Sequence, residues 1–96
     1  IRESKVLDII NYLDKKKISV KTYDPWVSKK DLDKKLKTNH IENLKNISGF
    51  DGVIIAVGHD IFKKIGIKKI KSFCKKNSVI FDIKNQFNSK YVDGTL

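Results

Sequence analysis

The sequence contains a single cysteine, Cys74, so no disulfide bond can form within the chain. Because stable disulfides are typical of oxidising compartments, a lone cysteine favours a reducing cytoplasm. No apolar run approaches the roughly 20 residues of a membrane-spanning helix, and the first residues lack the pattern of a secretory signal peptide. We therefore expect a cytoplasmic protein that has no membrane partner.

Glycine is also scarce, and the five glycines form neither a GxGxxG fingerprint nor a P-loop. A glycine-rich phosphate-binding loop is thereby excluded from these 96 residues. The remaining candidate for a phosphate contact is the start of the first predicted helix, where free N–H groups and Arg2 could meet an anion. In the alternative, Arg2 is solvated and Glu3 and Ser4 are ordinary helix caps. The residues alone favour this alternative.

Arginine is nearly absent from a strongly basic chain. The formal net charge is +10, and Arg2 is the one arginine among 21 basic residues. Such a charge raises the question of a nucleic-acid or anionic-membrane partner. However, base edges and phosphates are usually recognised by the planar guanidinium of arginine, and the lysines are spread through every polar segment. This distribution indicates a solvated surface and leaves a basic nucleic-acid-binding module as an alternative function.

Apolar residues at three- and four-residue spacing predict an amphipathic helix over residues 4–16. Similar spacing of isoleucine and leucine predicts another helix over residues 38–49, ended by a glycine. Shorter patterns add helices over residues 29–37 and 66–77, and a single turn at most over residues 61–64.

Three segments between the helices predict β-strands: 18–23, 52–57 and 78–83. The first is rich in β-branched residues and ends at Asp24-Pro25, because proline cannot donate to a strand ladder. The second is an almost continuous apolar run, which is typical of a parallel strand buried on both faces. Strands that alternate with helices predict an α/β fold with a parallel sheet and right-handed crossovers. Because the chain opens on a helix, we expect a single domain that lacks its first strand and belongs to a longer protein.

His59 and Asp60 follow the second predicted strand at its C-terminal end, where α/β sheets bind their ligands. They are candidates for an acid–base pair or a metal site, but no third ligand stands at a metal-site spacing. Capping of the following turn is therefore the favoured explanation.

Three further residues have two interpretations each. Cys74 lies on the apolar face of a predicted helix, which is typical of a small buried side chain rather than a nucleophile. Lys84 closes the third predicted strand, where it either meets a phosphate or sugar or is simply an edge lysine. Asp24 stands where a dinucleotide fold places its ribose-binding acid, but without a glycine loop beside it, Asp-Pro is better explained as a strand end.

Four stretches together resemble the C-terminal domain of the UDP-glucose/GDP-mannose dehydrogenase family, and in particular the UDP-N-acetylhexosamine 6-dehydrogenases of bacterial polysaccharide synthesis. They follow in the order and spacing that the family shows: IRESKVLDIINYL, VKTYDPWV, FDGVIIAVGHDIFKKI and VIFDIKN…YVDGTL. The resemblance covers nearly the whole chain. It implies a Rossmann-like, three-layer αβα fold with a parallel sheet.

The resemblance also implies a three-part parent enzyme. An N-terminal Rossmann domain binds NAD, a helical middle domain mediates dimerisation, and residues 1–96 correspond to the domain that binds the UDP end of the UDP-sugar substrate. Two successive hydride transfers oxidise the sugar's primary alcohol to a carboxylate, which gives a UDP-uronic acid for surface polysaccharide. The family's catalytic cysteine lies before this domain, so we expect the chain alone to be inactive and the parent to be a homodimer or higher oligomer.

Site roles are implied by the resemblance at two positions. Arg2 matches the arginine of the family's Asp-x-Arg-x-Ser stretch, which implies contact with the cofactor. Lys84 matches the basic residue that closes the family's Phe-Asp-x-basic strand, which implies substrate binding. Thr95 departs from the pattern, because relatives often carry arginine there. No specific nucleic-acid partner is implied, and an assembly or regulatory domain without nucleotide binding remains a further alternative.

Overall fold

The structure is a computed structural model that describes residues 2–25, 40–58 and 60–95. The chain divides into two compact units, Ile1–Lys45 and Asn46–Leu96, here called the first and the second unit. Each is described separately below. The helix predicted over 29–37 lies outside the described residues.

The first unit begins with helix α1 (Arg2–Lys15), which confirms the amphipathic helix that the spacing predicts. Ile10 is the buried residue among the side chains described in this helix, with 1% of its surface exposed. The helix ends in a Schellman motif: Ile18 N–H donates to the Leu13 carbonyl (3.0 Å) and Lys17 N–H to the Asp14 carbonyl (2.9 Å). Lys17 accordingly adopts a left-handed conformation, φ 60°.

Two predictions for the chain between α1 and residue 50 are wrong. The strand predicted over 18–23 is reduced to a single parallel bridge between Thr22 and His40, where Ile41 N–H donates to the Thr22 carbonyl at 2.7 Å. β-branched residues favour a strand only where a partner strand accepts their ladder, and the described chain supplies one bridge.

The helix predicted over 38–49 is also absent from the described residues 40–49, which are irregular. Asn46 and Gly49 adopt left-handed conformations, φ 58° and 81°. The Asn43 side chain accepts a hydrogen bond from Lys45 N–H at 2.9 Å. Asparagine and glycine favour such turns, and here they outweigh the apolar spacing between them.

The second unit contains a parallel sheet of three strands among the described residues, in the order β1-β2-β3: β1 (Phe50–Ile55), β2 (Cys74–Asp82) and β3 (Gly94–Thr95). Helices α2 (Asp60–Ile65) and α3 (Ile67–Ser72) connect β1 to β2. A 3₁₀ turn (Ser89–Tyr91) lies between β2 and β3. This architecture confirms the α/β, Rossmann-like class with a parallel sheet.

Element boundaries differ from prediction mainly around Cys74. A helix was expected over 66–77, but α3 ends at Ser72 and Cys74 begins β2, where it pairs with Phe50. The placement of Cys74 on a helix face is therefore wrong, because Cys74 pairs with Phe50 ahead of a register shift, after which pairing resumes at Gly52 and Val79. Helix α2 is also longer than the single turn expected over 61–64.

The sheet buries one face within this unit. Val53 pairs with Ile80 and Ile55 with Asp82, so these side chains share a face, and Ile55, Ile80 and the α3-side residues Ile70 and Phe73 are buried. On the other face Ile54 and Val79 are 42% and 56% exposed. The expectation that β1 is buried on both faces is therefore wrong, and the core lies on the side where α3 contacts β2.

Candidate functional site at the carboxyl edge of the sheet

The three strands of the second unit are parallel, so their C-terminal ends lie at one edge of the sheet. In register, Ile55 of β1 faces Asp82 of β2, and Asp82 faces Thr95 of β3. Open α/β sheets bind ligands outside this carboxyl edge. The chain leaving β1 at residues 56–58 and the chain leaving β2 at 83–88 form this edge among the described residues.

Asp82 closes the turn that follows β2. Its side chain is fully buried, and Oδ2 accepts a hydrogen bond from Phe87 N–H at 2.8 Å. Its carbonyl accepts from Asn85 N–H at 3.2 Å, while Ile83 N–H continues the ladder to the Ile55 carbonyl at 3.0 Å. Asn85 has a left-handed conformation, φ 54°, which asparagine tolerates well. These bonds tie residues 83–87, here called the strand-end turn, to the edge of the sheet.

One oxygen of this carboxylate has no partner. Asp82 Oδ1 is buried and forms no hydrogen bond with the described residues. An unsatisfied buried polar group costs on the order of 1–3 kcal/mol, and such groups are rare enough in folded proteins to call for an explanation.

Lys84 lies within the strand-end turn and is exposed. No carboxylate of the described residues forms an ion pair with it. The turn lies against the chain that leaves β1: a methyl group placed on Gly58 would come within 3.9 Å of Lys84 Cβ and 3.8 Å of Gln86 Nε2. The base of the Lys84 side chain and the Gln86 amide thus lie beside Gly58, and a lysine and an amide at one sheet edge suit a phosphate or another anion.

A second carboxylate, that of Asp93, holds the chain just before β3 against β2. Asp93 Oδ2 accepts from Ile80 N–H at 2.7 Å, and Asp93 N–H donates to the Ile80 carbonyl at 2.8 Å. These two bonds bring the chain back beside β2 just before β3 begins at Gly94. The Phe81 ring packs so closely there that a methyl group on Gly94 would lie 2.6 Å from it.

The residues named from the sequence have different outcomes. Lys84 lies at the carboxyl edge, as expected for a strand-end residue. Arg2 begins α1 in the first unit, and its side chain lies outside the described part of the structure, as does His59. Asp60 is the first residue of α2. The substrate role of Lys84 and the cofactor role of Arg2 stay predictions.

Two other candidates have structural environments. Cys74 is half-buried at the start of β2, at the end of the strand opposite the carboxyl edge, and its Sγ lies 4.0 Å from the Ile70 carbonyl oxygen. Asp24 is half-buried in the first unit, beyond the Thr22 bridge. Among the residues that the structure describes, no three histidine, cysteine, aspartate or glutamate side chains are grouped to hold a metal ion.

Sequence reasoning missed Asp82, Gly58 and Gln86. Asp82 was visible as an acidic residue at the end of an apolar strand, which is a signal for a side chain that bonds its own following turn. Gly58 and Gln86 have no comparable signal, since their proximity depends on the register between β1 and β2.

Comparison with known proteins decides the family. Residues 1–89 match the family model described as "UDP-glucose/GDP-mannose dehydrogenase family, UDP binding domain". The chain belongs to this family. The resemblance carried by the four sequence stretches is thereby confirmed, and within that domain the strand-end turn with Lys84 lies inside the matched range.

Individual relatives carry more specific names. The chain is 32% identical over 84 residues to the UDP-N-acetyl-D-glucosamine 6-dehydrogenase of Salmonella typhi, covering 88% of this chain and 20% of that protein. It is 33% identical over 84 residues to the protein of the same name from Pseudomonas aeruginosa, with the same coverage of each chain. It is 35% identical over 86 residues to the UDP-N-acetyl-D-mannosamine dehydrogenase of Methanococcus maripaludis, covering 88% of this chain and 19% of that protein.

The chain therefore spans about a fifth of the length of these relatives. No solved structure matches it. Within the described residues, the helices are too short or too polar to cross a membrane.

Proposed function

We propose that residues 1–96 form a single domain that binds the UDP part of a UDP-sugar for an NAD-dependent UDP-sugar 6-dehydrogenase. Family membership supports UDP binding, and the names of the relatives support a UDP-N-acetylhexosamine as the sugar nucleotide. Because the chain spans about a fifth of the length of those relatives, its proposed role is to bind and orient the nucleotide.

The observation that carries this proposal is the placement of Lys84. Lys84 is exposed and lies in a turn tied to the carboxyl edge of a parallel sheet, with its Cβ beside Gly58 and near the Gln86 side chain. A lysine ammonium can bind a diphosphate as a point charge, although without the bidentate geometry that arginine would provide. Such an edge is where α/β sheets bind nucleotides.

The proposed reaction of the parent enzyme is oxidation of the sugar's primary alcohol to a carboxylate in two hydride transfers to NAD, giving a UDP-uronic acid for surface polysaccharide. We assign no catalytic residue in this chain. The isolated 96 residues should consequently produce no NADH from UDP-N-acetylhexosamine. Robust NADH production would contradict the proposal that catalysis requires the rest of the parent enzyme.

NAD does not fit the described residues by themselves, because no glycine-rich loop leads from a strand into a helix there. We propose that the rest of the parent holds the cofactor and that Arg2, at the start of α1, reaches it with a charged donor. We further propose a cytoplasmic location and a parent that is a homodimer or higher oligomer.

The decisive test is binding of UDP to the 96-residue chain by isothermal titration calorimetry, for the wild type, Lys84→Ala and Lys76→Ala. Lys76 is exposed near the opposite end of β2, so its variant removes the same charge away from the edge. We expect Lys84→Ala to weaken UDP binding about tenfold or more, as for loss of a charged hydrogen bond. Lys76→Ala should bind as the wild type does. Equal losses of UDP affinity in both variants would mean that lysine contributes only through the net charge of the chain. If the wild type did not bind UDP, an assembly or regulatory domain would be favoured.

A basic nucleic-acid-binding module is the second candidate, because seven exposed lysines lie between residues 63 and 76: Lys63, Lys64, Lys68, Lys69, Lys71, Lys75 and Lys76. Affinity driven by phosphate contacts falls steeply as salt rises. We expect binding to mixed-sequence DNA to disappear at physiological salt while UDP binding persists. Tight DNA binding that survives at that salt would favour the second candidate.

A further inference from the structure

The strand-end turn is organised by one side chain that the proposed binding site does not use directly. Asp82 accepts from Phe87 N–H through Oδ2 at 2.8 Å and from Asn85 N–H through its carbonyl at 3.2 Å. One residue therefore holds two points of the turn, one on each side of Gln86, and Lys84 lies between Asp82 and Asn85. Lys84 and Gln86, which lie beside Gly58, belong to the turn that these bonds close.

Asp82 cannot itself be a contact residue for a nucleotide in this conformation, since none of its surface is exposed. Its Oδ1 is buried without a partner among the described residues. A side chain that served only to fill the core would be apolar and would avoid this unsatisfied atom. The free-energy cost of burying this carboxylate is thus offset by the hydrogen bond of its other oxygen, Oδ2, which closes the strand-end turn.

Closing this turn matters because lysine is a flexible ligand. Its four-carbon side chain loses considerable rotamer freedom when the ammonium group is held in place. A backbone already fixed in the bound conformation reduces the freedom that is lost on binding and so raises affinity. The turn contributes this effect only while the bond between Phe87 N–H and Asp82 Oδ2 persists.

We propose that Asp82 is the positioning residue of this site: it holds the strand-end turn so that Lys84 is presented at the carboxyl edge to an anionic nucleotide diphosphate. This inference rests on the proposed function, because it takes the ligand to be UDP. It assigns Asp82 a role that acts through Lys84 and not through contact with the ligand.

A double-mutant cycle tests this role, with UDP titrated into the wild type, Asp82→Ala, Lys84→Ala and the double variant. If Asp82 acts through Lys84, Asp82→Ala should weaken UDP binding about tenfold in the wild type but less than about twofold in the Lys84→Ala background. Equal losses in both backgrounds would overturn the inference while leaving UDP binding intact. Failure of the wild type to bind UDP would instead overturn the proposed function itself.

Rescue by a conservative variant separates positioning from general damage. Asp82→Asn keeps an oxygen that accepts from Phe87 N–H, so it should restore UDP affinity to within about threefold of the wild type. Hydrogen exchange of the Phe87 amide should quicken in Asp82→Ala and stay slow in Asp82→Asn and Lys84→Ala. A slow Phe87 amide in Asp82→Ala would contradict the proposed anchor.

A surface variant keeps the inference testable if Asp82→Ala does not fold. Asn85 is exposed and left-handed, φ 54°, a conformation that alanine tolerates poorly and glycine accepts. Asn85→Ala should loosen the turn and weaken UDP binding about threefold or more, whereas Asn85→Gly should lose less. An Asn85→Ala chain that binds UDP as tightly as the wild type would count against a positioned turn.

Discussion

The two units of this chain form their backbone hydrogen bonds in different ways. The first unit relies on one helix, α1, closed by a Schellman motif, and then on a single bridge at Thr22 among its described residues. The second unit builds a parallel sheet in which two helices connect β1 to β2. Among the described residues, the hydrogen bonds of the first unit are mostly local, whereas the second unit is held by pairing between strands that are distant in sequence.

The comparison extends to burial and to chemistry. Among the described residues, four of the five buried hydrophobic side chains lie in the second unit: Ile55, Ile70, Phe73 and Ile80. Ile10 is the one in the first unit. The buried carboxylate and the candidate lysine belong to the second unit as well. A site that requires fixed geometry is thus carried by the unit that has more buried hydrophobic side chains among the described residues, and we expect the largest mutational effects there.

The largest expected effect is in the core of the second unit. Ile80→Ala removes a side chain that is 2% exposed and should lower the free energy of unfolding by about 2–5 kcal/mol. Its neighbour Val79 is 56% exposed on the opposite face, so Val79→Ala should change stability by about 0.5 kcal/mol or less. Urea unfolding of both variants measures the difference. Similar losses would mean that both faces of β2 are buried in solution.

A smaller effect is expected where β2 meets β3. Gly94→Ala would place a methyl group 2.6 Å from the Phe81 ring, and overpacking of this kind should cost about 1–3 kcal/mol. Gly58→Ala is the control, because its methyl group would find ordinary contacts of 3.8 Å or more. The second substitution Phe81→Leu should restore part of the loss in Gly94→Ala, as measured by thermal unfolding. Equal tolerance at both glycines would contradict this packing.

The smallest expected effect is a gain in the first unit. Lys17 holds the left-handed position after α1, φ 60°, so Lys17→Gly should stabilise the chain by about 0.5–1 kcal/mol. Lys15→Gly, within the last turn of α1, should instead cost about 1 kcal/mol. Circular dichroism during urea unfolding gives both values, and a loss in Lys17→Gly would show that this helix end is not closed as described.

The same contrast explains how much of the fold could be predicted. Helix α1 and the apolar strand β1 were found because each has a strong pattern of its own. The segment over 38–49 was misassigned, since Asn43, Asn46 and Gly49 decide its conformation despite helical spacing. The start of β2 at Cys74 was missed because the polar residues after it carry no strand pattern, and Cys74 itself pairs with Phe50 ahead of a register shift.

The candidate site was predicted to a similar degree. Lys84 could be named because it ends a strand and matches a family position. The role of Asp82 could not, since its bond to Phe87 appears only when the chain turns back beneath the edge of the sheet. Contacts made across a turn or between strands depend on register, which residue types alone do not determine.

The central claim is that UDP binds at the carboxyl edge of the second unit. The most direct measurement is a UDP titration of the ¹⁵N-labelled 96-residue chain followed by NMR amide shifts. We expect saturable shifts concentrated at residues 56–58 and 83–88, and their loss in Lys84→Ala. Shifts confined to the lysine-rich residues 63–76, or no saturable shifts at all, would contradict it.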